Sequence, residues 1–131
     1  LDIANNVSEK LAEEGAIVVM TRKSDVFIPL EERANIATRN HADFFISVHI
    51  NSDSLSESGT SGGITFFHRE NRVGQLLAET IQHEIAPLSG IPSLGAWSDG
   101  KIYQHGFSVL RNATMPAVLI ECGFINNRNN N

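Results

Sequence analysis

The order of apolar and polar positions along this chain predicts short buried strands alternating with helices. Over residues 2–14, Ile3, Ala4, Val7 and Leu11 recur on one helical face, and Gly15 stands where a helix C-terminus ends. Residues 16–21 are apolar and largely β-branched, which reads as a buried strand. Pro29 suits a helix start, and the helix over residues 30–40 would turn Leu30, Ala34 and Ala37 inward. Residues 44–50 read as a second buried strand, and 51–63, rich in Ser and Gly, as an exposed loop. A third strand covers 63–67. The helix over 71–85 would point Leu76, Leu77 and Ile81 at the core. Residues 87–101 read as irregular, with glycine turns around Trp97. Two short apolar runs follow, at 107–110 and 117–121.

This alternation predicts an α/β fold: a mostly parallel central sheet flanked by helices on both faces. A length of 131 residues fits one domain, 1–131, with a single core. Composition removes several classes of function. The net charge of −5, without a run of Lys or Arg, argues against a nucleic-acid partner. The one cysteine, Cys122, allows neither an internal disulfide nor a CxxC zinc ribbon. No apolar stretch reaches the roughly 20 residues of a membrane-spanning helix. The chain opens on Leu1 and ends in Asn-rich sequence, so both ends read as cuts in a longer protein.

In α/β sheets, sites form beyond the carboxyl ends of strands. Two predicted strands end in ionisable residues: His49 within Ser47-Val48-His49-Ile50-Asn51, and Glu121 within Leu119-Ile120-Glu121-Cys122-Gly123. A carboxylate closing a buried strand is costly unless paired, hydrogen-bonded or beside a metal. Either residue alone is better read as structural: His49 as a satisfied histidine, Glu121 as a salt-bridged or solvated carboxylate. Two on one sheet point to a site. His41, His68, His83 and His105 make no metal-ligand spacing with His49; His41 reads as a helix C-terminal residue, His83 and His105 as exposed polar positions, and His68, ending a strand, as a surface residue before a cleft-lining one. Cys122 is a competing nucleophile, but strand alternation turns it away from whatever face Glu121 occupies. Arg22 with Asp25 either binds substrate or anchors its own loop. Asn51 either orients His49, contacts substrate or forms a turn.

Several stretches resemble the zinc-dependent N-acetylmuramoyl-L-alanine amidases, and the resemblance runs along nearly the whole chain. They are Thr21-Arg22 with Asp25, Leu30 through Arg33 to Ala34-Asn35, Ala42-Asp43, Ser47 to Asn51, Gly62-Gly63, Val109-Leu110-Arg111, and Met115 to Asn126. The resemblance implies a peptidoglycan hydrolase that cuts between N-acetylmuramic acid and L-alanine. It implies Zn2+ as cofactor, His49 as one ligand and Glu121 as the catalytic residue. It places the remaining ligands and a first strand upstream of Leu1, so that 1–131 is part of a catalytic domain. It further implies an extracellular or wall-associated autolysin, with a separate wall-binding module in the parent protein. The alternatives are a carboxypeptidase-like zinc enzyme and a non-catalytic wall-binding or regulatory domain of the same fold.

Overall fold

Four strands hydrogen-bond into one sheet: β1 (Phe45–Asn51), β2 (Gly63–Phe67), β3 (Ser93–Ser98) and β4 (Ala117–Phe124), in the spatial order β1-β4-β2-β3. This computed structural model describes residues 1–52 and 59–127. β1 pairs parallel with β4, and β2 parallel with β3, while the central pair β2–β4 is antiparallel. The sheet is therefore mostly parallel, as the pattern predicts. The antiparallel step sends the carboxyl ends of β1 and β4 to one edge and those of β2 and β3 to the opposite edge.

Both faces carry helices. On one face, α2 (Leu30–Arg39) and α4 (Ser108–Arg111) cover a core of Ala37, Phe45, Ile64, Phe66, Val109, Leu110, Met115, Ala117 and Leu119. On the other, α3 (Arg72–Ile85) sets its buried Ala78 against Phe67 and Val118. Asn71 caps α3 by accepting a hydrogen bond from the Gly74 N–H. Gln82, buried on α3, donates to Thr65 Oγ1 at 2.8 Å and accepts from Ser93 Oγ at 2.7 Å, tying the helix to β2 and β3. α1 (Asp2–Glu13) has no buried residue. It ends before Gly15, whose φ of +92° suits glycine.

The structure corrects three expectations. Residues 16–20 form no strand, and Ile17 is 96% exposed. An apolar β-branched run becomes a strand only where its backbone groups find a neighbour; here the segment, α1 and β1 instead wall a cleft of about 1420 Å³. Residues 93–98, expected to be irregular, form the edge strand β3. Its pattern is masked by Gly95 (φ +91°) and by the lack of any fully buried residue, Ser93 and Leu94 being exposed and the rest partly buried. Leu30 and Leu76, expected inward, are 47% and 63% exposed, because the small Ala34, Ala37 and Ala78 take the close contacts. The run at 107–110 enters a short helix, α4. Part of the loop predicted at 51–63, namely 53–58, lies outside the described residues, as does the end of the Asn-rich tail.

Candidate active site

β1 and β4 run in register from Phe45↔Ala117 to His49↔Glu121. Alternation puts Phe45, Ser47 and His49 on one face of β1, beside Ala117, Leu119 and Glu121 on β4. Phe45, Ala117 and Leu119 belong to one buried cluster, which identifies that face as the one under α2 and α4. Ser47, His49 and Glu121 continue it toward the carboxyl edge. The register then shifts between His49 and Asn51, and Gly123 takes φ +125°. Such ladder irregularities re-aim side chains at strand ends. The two residues singled out from sequence thus lie side by side on neighbouring strands.

Their surroundings alter both proton affinities. Burial lowers the His49 pKa below its ordinary 6.5, and the Arg33 and Arg22 guanidinium groups lower it further. Burial pushes the Glu121 carboxyl up from 4.5 to about 7. Glu121 Oε2 is buried without a hydrogen-bond partner among the described residues. His49 Nε2 lies 2.9 Å from the Ser47 hydroxyl, and Ser47 is 7% exposed. At neutral pH the site therefore pairs an uncharged imidazole with a carboxyl poised near its midpoint, a combination suited to moving protons.

The donor chemistry suits the Zn2+ that the resemblance implies, but only in part. His49 has one ring nitrogen engaged and one available, beside a carboxyl with an orphaned oxygen. A catalytic zinc takes three protein ligands, and among the described residues no group of three His, Cys, Asp or Glu comes together.

The other candidates separate clearly. Alternation turns the Cys122 side chain to the face opposite Glu121, and both residues contribute to the wall of a small cavity of about 130 Å³ with Gln82, Ile85 and Pro92. Burial and the Glu121 charge both raise its pKa, which disfavours a thiolate. Arg22 Nη1 donates to the Val26 carbonyl and lies 3.6 Å from Asp25, so it braces its loop while lining the His49 cleft. Asn51 Oδ1 accepts from the Ser52 N–H in a local turn.

Sequence reasoning missed three residues near or beyond the site. Ser47 and Arg33 were read only as parts of matching stretches; the signal for Ser47 was its i, i+2 spacing from His49. Arg33 Nε donates to the Ile28 carbonyl, and the residue lines the cleft. Asp99 is fully buried at the opposite sheet edge, accepting from His68 Nδ1 at 3.0 Å and Phe107 N at 3.0 Å. His68 thus has a structural partner that no spacing signalled. His83 and His105 are exposed, as expected, and His41, just beyond α2, has φ +52°.

Comparison with known proteins identifies the family. Residues 1–131 match the family Amidase_3, described as N-acetylmuramoyl-L-alanine amidase. The chain is 39% identical to Bacillus subtilis YqiI, over 97% of this chain and 58% of that protein. It is 35% identical to the N-acetylmuramoyl-L-alanine amidase LytC of the same organism, over 97% of this chain and 24% of LytC. Among solved structures, the N-acetylmuramoyl-L-alanine amidase of Clostridium difficile 630 superposes with a TM-score of 0.86 at 31% identity, covering 95% of this chain and 64% of that one. The chain thus spans less than two thirds of each.

Proposed function

Because this chain belongs to the N-acetylmuramoyl-L-alanine amidase family, we propose that the protein containing it hydrolyses the amide between the lactyl group of N-acetylmuramic acid and L-alanine in peptidoglycan. The observation that carries the reading is the His49–Glu121 register, with a buried carboxylate oxygen on Glu121 that has no partner among the described residues. His49 serves as one ligand of Zn2+, the remaining ligands lying upstream of Leu1 in the parent protein. The metal, when bound, supplies a Lewis acid for the scissile carbonyl.

Glu121 does the proton work. Its carboxylate takes a proton from the attacking water and returns it to the leaving nitrogen, so the products are a lactyl carboxylate and the amine of L-alanine. A carboxyl held near neutrality is matched to both steps, since it neither keeps nor loses its proton too strongly. Arg22 and Asn51 are proposed substrate contacts. The substrate polymer implies work at the cell wall, outside the cell. With a charge of −5 the chain gains nothing from attraction to an anionic wall, so a separate wall-binding module in the parent protein is part of the proposal. Among the described residues no helix is long and apolar enough to cross a membrane.

The test is digestion of purified peptidoglycan by the parent protein. New L-alanine amino termini should appear while the glycan strands stay whole. Glu121→Gln should retain zinc and lose turnover by a factor of about 10² to 10⁴. Cleavage elsewhere in the stem would point to a carboxypeptidase-like enzyme, and retained turnover in Glu121→Gln would remove Glu121 from the mechanism.

A further inference from the structure

We infer that Ser47 is a positioning residue for His49: its buried hydroxyl accepts the Nε2–H proton and holds the imidazole in the tautomer whose Nδ1 lone pair is free. The two side chains stand two residues apart on one face of β1, the spacing at which strand side chains become neighbours. Ser47 Oγ and His49 Nε2 are 2.9 Å apart. Ser47 is 7% exposed and is paired in register with Leu119, itself 3% exposed, so little water is at hand to replace the imidazole as partner. Among the described residues, His49 is the side chain to which the Ser47 hydroxyl bonds.

The geometry alone permits the proton on either atom of the pair. Of the two tautomers, the one with the ring proton on Nε2 lets Ser47 Oγ accept it and leaves Nδ1 with the lone pair that a metal ligand needs. One nitrogen is then always the one offered. A group that fixes the second nitrogen of a metal-binding histidine commonly changes metal affinity by about 10- to 100-fold when removed. That consequence rests on the amidase reading; the hydrogen bond itself does not.

Two measurements test it. In the metal-free 131-residue chain, ¹⁵N NMR of the His49 ring at neutral pH should show a protonated Nε2, an unprotonated Nδ1 and an N–H proton protected from exchange. Ser47→Thr should preserve this signature, whereas Ser47→Ala and Ser47→Val, which lack the hydroxyl, should lose the protected proton. A proton on Nδ1, or an unchanged spectrum in Ser47→Ala, overturns the inference. In the parent protein, zinc affinity measured against a competing chelator should fall about tenfold or more in Ser47→Ala and recover in Ser47→Thr. Unchanged affinity in a folded Ser47→Ala protein overturns the ligand-positioning role. Absence of zinc from the unmutated parent would instead sink the metal reading and leave the ring spectrum to judge Ser47.

Discussion

Glu121 follows Ala117, Val118 and Leu119 in β4, residues that are almost wholly buried, and its carboxyl shares much of their shelter from water. Its pKa near 7, against 4.5 for an ordinary glutamate, makes stability depend on pH in a definite direction. Between those values the folded chain keeps a proton that the unfolded chain has lost, so stability falls as pH rises through the window. Below it both states are protonated and the effect disappears. In the metal-free chain, Glu121→Gln should therefore gain about 1–2 kcal/mol at pH 8, after discounting for partial solvent screening, and nothing near pH 4. Urea denaturation at the two pH values measures this, and equal gains at both would refute the burial argument. His49 acts oppositely: its lowered pKa removes stability as pH drops below 6.5. Cys122 sits on the other face, so Cys122→Ser in the parent protein should leave turnover within about twofold. Loss of activity with the fold intact would restore the thiol as a nucleophile.

At the scale of elements, two buried polar nodes hold the sheet to its surroundings. Gln82 bridges Thr65 and Ser93, joining α3 to two strands. Thr65→Val keeps the side-chain shape but strands the Gln82 amide, and should cost about 1–3 kcal/mol in urea unfolding. Asp99 gathers His68 and the Phe107 N–H, and a Cβ on Gly106 would collide with its carboxylate. Asp99→Ala leaves these donors without their acceptor in a closed site and should cost about 3 kcal/mol or more. A midpoint unchanged in Asp99→Ala would show that this node contributes nothing. Neither node was legible beforehand, because a single Gln or Asp in a polar stretch looks like any solvated residue until its partners converge. The helices α1, α2 and α3 were legible, since their apolar positions recur at helical spacing and Gly15, Pro29 and Asn71 mark their ends.

For the molecule as a whole, the cleft beside β1 is the dominant feature. α1, residues 16–20 and the outer face of β1 expose Leu11, Ile17, Val19, Phe44, Ile46 and Ile50. So much apolar surface in one region is unusual for an isolated chain. The 131-residue chain should bind the hydrophobic dye ANS strongly. A version extended upstream of Leu1 should bind less dye and hold about one zinc, which metal analysis would read directly. Equal dye binding by both versions, and no zinc in the longer one, would refute the proposal that this chain is part of a larger catalytic domain.

Sequence alone determined the α/β class, the main helices, β1, β2 and the choice of His49 and Glu121 as the residues to look at, which the fold sets side by side. Each of these follows from short-range information: periodicity, strand ends and the chemistry of individual side chains. Tertiary structure alone decided the antiparallel β2–β4 step, the edge strand β3, the absence of a strand at 16–20, and the partners of Asp99 and Ser47. The physical reason is common to all of them. Whether an extended segment becomes a strand, or a polar side chain becomes buried, depends on which distant backbone and side chains come to lie against it, and local pattern carries no record of those neighbours.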